Sequence, residues 1–404
     1  MKLKMDFCSR MNAYPTLKLN SGKEKSLQRF HPWVFSGALA KDIKHTPEGS
    51  LVNVTDNKGN YLGTGYVQHG SIAVRILSFV ETDINQDFWN AAVQNSWEMR
   101  QRLGFTDNPL TNCFRLMHGE GDYIPGLVID YYAGTCVIQC HTSGIYAHRD
   151  MIAQALINVL GKQLKAIYDK SFETLHGAVP EASNGFLYGA QEDKMVLENG
   201  YQFKVDFTTG QKTGFFIDQR DNRQLVGQYS KGKTVLNTFA YTGGFSVYAL
   251  MNQALQVDSV DVSKSAIELL NENMATNAPN ANNHQGIAAD TFNYFKSLEQ
   301  QYDIVILDPP AFAKNRGAKH NALMGYKRLN MEGLKYVKKG GLLFTFSCSQ
   351  VVDSFTFNQT ILSAAIESKR HIKILHRLTQ PADHPVNIYH PESEYLKGLV
   401  LMVD

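Results

Sequence analysis

The feature that most restricts the fold is an alternation in the second half of the chain. From Thr234 onward, short apolar runs at residues 235–239, 259–262, 286–289, 303–307 and 341–347 alternate with segments of helical spacing that begin near Gly244, Ser265, Tyr326 and Asp353. Apolar runs this short suit strands covered on both faces, and the intervening helices supply the crossovers. The pattern therefore predicts an α/β domain with a mostly parallel, doubly wound sheet. Sheets of this kind bind ligands outside the carboxyl ends of their strands, so candidate chemistry is sought there.

The first half reads differently. Residues 16–82 hold β runs at 16–19, 49–55, 60–68 and 72–79, broken by turn residues at 57–60 and 69–70, which indicates a small β-rich module. Residues 83–103 have helical spacing and end at Gly104, and residues 110–180 run strand, strand, helix, strand as an α+β unit. The expected division is 1–82, 83–189 and 190–404. Across 404 residues, 40 Lys+Arg against 38 Asp+Glu give a net charge of +2, too balanced for a protein that coats polyanions by net charge alone. The first 50 residues are an exception: Lys2, Lys4, Arg10, Lys18, Lys23, Lys25, Arg29, Lys41 and Lys44 outnumber Asp6, Glu24, Asp42 and Glu48, giving +5 there. A polyanion is expected to meet this end first. No stretch approaches the ~18 apolar residues of a membrane span, and no signal-like apolar segment follows the basic start. The five cysteines are few, odd in number and scattered, which suits a reducing compartment. A soluble cytoplasmic protein without membrane partners is expected. Cys136 and Cys140 share a face of one strand but lack a second ligand pair, so buried filler is the expected role and no metal is implied.

Residues 227–234 (GQYSKGKT) satisfy the pattern of a phosphate-binding loop, but a charged helical segment precedes them and an apolar strand follows. That is the reverse of the order a phosphate loop requires, so the match is set aside. The segment VLNTFAYTGGFSVYAL (235–250) instead runs from a strand through a small-residue turn into a helix, and Gly243 and Gly244 let backbone approach a ligand. Asp261 ends the next strand 17 residues beyond Gly244, near the spacing at which a carboxylate takes ribose hydroxyls. Asp290, at the end of the third strand, is placed to accept from an adenine amino group, although a Gly-Gly turn and a strand-end Asp also arise from ordinary helix capping. A nucleoside cofactor follows, and the missing G-x-G-x-x-G disfavours nicotinamide or flavin.

After the strand at 303–307 come Asp308, Pro309 and Pro310, which stiffen a loop and set one carboxylate beside a planar base. Cys348 ends the strand at 341–347 and should meet Asp308 at the same crevice. The serines on either side of it and the helix start that follows are expected to lower its pKa and ready a thiolate nucleophile.

Together these segments resemble the bacterial 23S ribosomal RNA cytosine-C5 methyltransferases of the RlmI type. The likeness rests on HPWVFSGA (31–38), GDYIPGL (121–127), KTGFFIDQR (212–220), residues 237–246, DPPAF (308–312), SCS (347–349), ADHP (382–385) and YLKG (395–398). It implies an N-terminal PUA module that binds RNA, a central α+β domain and a Rossmann-like class I methyltransferase domain that uses S-adenosylmethionine. It further implies cofactor contacts from Asn237, Phe239, Tyr241, Thr242, Gly243, Gly244, Asp261, Ser263, Asp290, Asp308 and Pro309. RNA contacts are implied for Phe216, Arg220, Arg223, Pro310, Phe312, Lys23, Arg29 and Trp33, with Phe30 and Phe35 as further candidates for base stacking. Cys348 would add to cytosine C6 while Asp308 steadies N3 and the exocyclic amine. Many RNA cytosine-C5 methyltransferases carry a second cysteine directly after the Asp308 motif; here Ala311 stands there, which leaves the base for the C5 proton unassigned. The alternatives are a ribosomal RNA guanine N-methyltransferase and a non-catalytic RNA-binding assembly factor. The sequence leaves the oligomeric state open, a homodimer included.

Overall fold

The computed structural model describes residues 14–175, 177–190, 195–313 and 315–404. Lys2, Lys4, Asp6, Cys8 and Arg10 thus lie outside the described residues. Two compact units emerge, one of Met1–Thr106, Arg115–Glu192 and Val386–Pro391, the other of Asp107–Phe114, Asp193–Pro385 and Glu392–Asp404. Among the described residues no helix is long and apolar enough to cross a membrane.

In the first unit, strands Thr16–Lys18, Leu51–Thr55, Tyr61–Val67, Ile72–Ser78 and Trp33–Phe35 lie side by side in that order, antiparallel apart from the first pair. Alternation along Leu51–Thr55 turns Val52 and Val54 inward, into a core with Leu19, Leu27, Val34, Val67, Val74 and Ile76. Gly65 is required where two strands approach: a Cβ there would stand 2.1 Å from the Arg75 carbonyl oxygen. A second sheet follows the order Gly185–Tyr188, Ala166–Asp169, Thr135–Cys140, Leu127–Tyr132, Cys113–His118. Its central strand Thr135–Cys140 is wholly buried, with Cys136 and Cys140 packed as apolar side chains.

The second unit contains the hairpin Met195–Glu198 and Tyr201–Lys204, the helix Arg220–Ser230, and a seven-stranded sheet. Its strands are β1 (Thr234–Thr238), β2 (Gln256–Asp261), β3 (His284–Ala288), β4 (Tyr302–Leu307), β5 (Val337–Ser347), β6 (Ile372–Leu378) and β7 (Lys397–Val403). They lie in the order β3-β2-β1-β4-β5-β7-β6, with β1 to β5 parallel and β7 antiparallel to both of its neighbours. The doubly wound expectation is met by β1 to β5. The chain order reverses between β1 and β4, the switch point at which such sheets open a crevice. Residues 227–234 span a helix end and the start of β1, confirming that no phosphate loop forms. Register aligns the strand ends, with Thr238 opposite Val260 and Leu307, Asp261 opposite Ala288, and Leu307 opposite Thr345. The loops that carry residues 239–244, 261–263, 290, 308–312 and 348 therefore leave the sheet at one edge.

Candidate active site at the carboxyl edge of the seven-stranded sheet

The turn after β1 is strained. Phe239 (φ 56°) and Tyr241 (φ 47°) occupy the left-handed region, at a cost of about 1–3 kcal/mol each, and Gly243 (φ 82°) joins them. Hydrogen bonds hold the turn: Ala240 N donates to Val260 O (3.0 Å), Tyr241 N to an Asp261 carboxylate oxygen (2.9 Å), and Asn273 Nδ2 to Thr242 O (2.9 Å). A Cβ at Gly243 would lie 2.6 Å from Leu270 Cγ on helix Lys264–Asn277, so a replacement there forces that side chain to shift. Beneath the turn, Asn237 Nδ2 donates to Ser246 Oγ (2.9 Å), which sits 2.6 Å from Ser259 Oγ.

The helices after β2, β3 and β5 are capped by Ser263, Asp290 and Asp353, each accepting a backbone N–H of its first turn, whereas helix Gly244–Met251 after β1 and helix Lys319–Lys335 after β4 have no side-chain cap. Of these two, Gly244–Met251 follows directly on the strained 239–243 turn. An uncapped helix N-terminus beside a strained glycine turn suits an anionic group. The buried Asn237 Oδ1 likewise lacks a hydrogen-bond partner. Asp261 accepts from Tyr241 N through one oxygen and from Ser263 N through the other, both at 2.9 Å. Its carboxylate is thereby fixed in place with lone pairs left for a diol. Ser263 and Asp290 are both helix caps, for Asp290 as the plainer reading had it, and Asp290 spends one oxygen on Asn293 N (2.9 Å).

Beyond β4, Asp308 is half-buried and Pro309 buried, while Pro310 is exposed. Burial, reinforced by the nearby Asp218 carboxylate, pushes Asp308 up to about 7 against a hydrogen bond from the Gln219 side chain and the charges of Lys212 and Arg223. Cys348 Sγ lies 4.0 Å from Pro309 O, so the thiol and the twin-proline loop meet as expected. The thiol pKa is a correction. Burial, with Asp308 and Asp218 adding to it, pushes Cys348 up to about 11, opposed by Lys212 and Lys397. The features expected to activate it are spent elsewhere: Ser349 Oγ meets Tyr326 OH (2.9 Å) and Ala313 N (3.3 Å), and the following helix starts only at Ser354 under its own Asp353 cap.

Three substrate assignments also change. Arg220 and Arg223 are buried. Arg223 pairs with both Glu198 oxygens (2.8 and 2.6 Å), and Arg220 donates to Asp383 (2.9 Å) and to Cys113 O (2.9 Å). They hold the unit together and do not face RNA. Phe312 packs its ring on Tyr326 (centroids 4.6 Å apart) and against Gly325. Phe216 stands at the site, edge-on to Tyr241 (5.0 Å) with Lys212 Nζ 4.6 Å over its ring. Lys212 (φ 48°), Asp218, Gln219, Tyr395 and Lys397 were not singled out from the sequence, although the motifs at 212–220 and 395–398 contain them. Tyr395 OH donates to Asp218 at 2.6 Å.

Lys23, Arg29 and Trp33 belong to the first unit. Both cations are exposed, but Trp33 is engaged: Nε1 donates to Glu120 (2.8 Å), and the ring lies 4.9 Å under the Arg75 guanidinium and 4.3 Å from the His390 ring. Phe30 and Phe35 are each about half exposed.

Comparison with known proteins adds the following. Residues 115–397 match the family model described as S-adenosylmethionine-dependent methyltransferase, and residues 17–79 match that of a PUA-like domain. Ribosomal RNA large subunit methyltransferase I of Alteromonas mediterranea is 38% identical, over 95% of this chain and 98% of that protein. Its namesake from Pseudoalteromonas translucida is 36% identical over 95% and 98%. A solved structure described as a SAM-dependent methyltransferase from Streptococcus mutans superposes with TM-score 0.83 at 27% identity, covering 96% of this chain and all of that one. A methyltransferase solved in complex with SAH gives TM-score 0.84 at 28% identity with the same coverage.

Proposed function

The chain belongs to the S-adenosylmethionine-dependent methyltransferases and, like its relatives, is one that acts on large-subunit ribosomal RNA; from that premise we propose that it forms 5-methylcytosine in 23S ribosomal RNA through a Cys348–C6 adduct. The observation that carries this reading is the meeting of a thiol with the loop that bears a carboxyl, Cys348 Sγ lying 4.0 Å from the carbonyl of Pro309, the residue after Asp308. We keep the three-part division at 82/83 and 189/190, with the PUA-like module as the RNA-binding part.

The cofactor supplies an electrophilic methyl group on a sulfonium. The residues present suit it: the uncapped N-terminus of helix Gly244–Met251 and the 239–243 turn for its carboxylate, Asp261 for ribose hydroxyls, and the free oxygen of Asp290 for the adenine amine. Cytosine C5 is a weak nucleophile. Cys348 releases its proton to solvent, the thiolate so formed makes a bond to C6, the C5–C6 π electrons move toward C5, and the charge that develops on the ring is met at N3 by Asp308. With its pKa near 7, Asp308 carries a proton in a good share of molecules at neutral pH and can donate it in a hydrogen bond. After C5 takes the methyl, solvent water accepts the C5 proton, the electrons of the C–H bond restore the C5–C6 double bond, and the C6–S bond breaks to release the thiolate.

The direct test is nucleoside mass spectrometry of large-subunit ribosomal RNA treated with the protein and S-adenosylmethionine. 5-Methylcytidine is the expected product. An N-methylguanosine product would transfer the assignment to guanine chemistry, and no methylated nucleoside would favour an assembly factor. Asp261→Ala removes an acceptor held by two backbone amides and is expected to weaken S-adenosylmethionine binding at least about tenfold in calorimetry, the scale of one charge-assisted hydrogen bond.

A further inference from the structure

Lys397 has no part in the chemistry above, yet it is 4% exposed. It opens β7 and lies opposite Ser347 in the antiparallel register with β5. Its ammonium donates to Ser349 O (2.8 Å) and Tyr395 O (2.6 Å). Burying an ammonium is costly unless it is compensated. Here both acceptors are neutral carbonyls, so dipoles solvate the charge without cancelling it, and one of its three N–H donors is left over. Ser349 immediately follows Cys348. The charged groups acting on the thiol are Lys212 and Lys397 on the positive side and Asp308 and Asp218 on the negative; those acting on Lys397 are Cys348, Glu394 and Asp353. Lys212 is exposed and its charge is screened by solvent, whereas that of Lys397 is not.

We propose that Lys397 is the positioning residue for Cys348: by gripping the Ser349 carbonyl it fixes the turn that carries the thiol, and its buried charge supports the thiolate between two carboxylates. No proton passes through Lys397, which acts as an ammonium. Burial lowers its own pKa to about 8, so that support is present at neutral pH and fades above it.

This inference rests on the nucleophilic role of Cys348, and its test separates the two. Alkylation of Cys348 by iodoacetamide is followed across pH by mass spectrometry of the peptide that carries it. In the wild type the rate should climb about tenfold per pH unit and then flatten near pH 8 as Lys397 loses its charge. Lys397→Met should slow alkylation about tenfold at pH 7, the effect of one pKa unit, and remove the break. Lys397→Arg keeps the charge and should stay within about threefold of wild type, also without the break. A wild-type profile with no break overturns the proposal without reliance on any variant. So does a Met variant that matches wild type, or an Arg variant as slow as Met, with melting temperatures recorded for both. If Cys348→Ala keeps full methylation the proposed chemistry fails; if it is inactive while Lys397→Met alkylates normally, only the role of Lys397 fails.

Discussion

Cys348→Ala will lower methyl transfer by about 10³-fold or more, the scale on which loss of an enzyme's nucleophile falls. In the proposed chemistry cytosine C5 becomes a competent nucleophile only after the sulfur has added at C6, so loss of the thiol removes the step on which methyl transfer depends. Tritium transfer from labelled S-adenosylmethionine measures the loss, while calorimetry should show cofactor affinity within about twofold, because Cys348 is not among the proposed cofactor contacts. The thiol is only partly buried and its removal should cost little stability, so a well-folded, cofactor-binding, inactive protein is the expected result. With RNA in which the target cytosine carries fluorine at C5, the wild type should form a covalent complex that survives denaturing electrophoresis and the alanine variant should not. Undiminished methylation by the variant would eliminate the adduct and leave the amino-group chemistry of the runner-up.

Glu198→Ala will destabilise the protein by about 3–5 kcal/mol. Its carboxylate takes a two-point grip from Arg223, lies 3.7 Å from Arg220 and accepts from Tyr248 OH at 3.0 Å, with all four side chains buried. Removing it strands buried guanidinium charge, which typically costs about 3–5 kcal/mol. Glu198→Gln keeps the shape and loses the charge, and should fall between the two. Urea unfolding of each variant gives the answer. If Arg220 and Arg223 were RNA contacts after all, the alanine variant would keep its stability and change its affinity for RNA instead.

Most of the parallel strands were legible because they are buried apolar runs whose pattern needs no partner to be recognised; His284–Ala288, which has no buried residue, was legible from its place in the alternation. The antiparallel end of the sheet was not: most side chains of Ile372–Leu378 are exposed or half-buried, and it pairs with Lys397–Val403 across a long connection without a hairpin signal. Trp33–Phe35 is three residues long, too short for any periodicity. The glycine turn after β1, the twin prolines and Cys348 stand out in the sequence because their residue types mark them locally, and the structure brings Cys348 against the twin-proline loop. The arginine assignments failed for a long-range reason: Arg220 and Arg223 sit in a segment that reads as a solvated charged helix, and their partners Glu198 and Asp383 come from a hairpin and a distant loop. The thiol's environment was hidden in the same way, being set by Lys212, Asp218, Asp308 and Lys397 from separate parts of the chain.

The short return of Val386–Pro391 into the first unit bears on how the protein is made. Asn387 Nδ2 donates to Glu120 O (3.1 Å), and Tyr389 lies 5.3 Å from the ring of Phe30. A fragment cut after the second five-stranded sheet would lack these contacts, however well its strands paired. During translation the aromatic surface around Phe30 is therefore finished only after Val386–Pro391 has emerged, long after the strands beneath it, and a product terminated before Val386 lacks the residues that complete it.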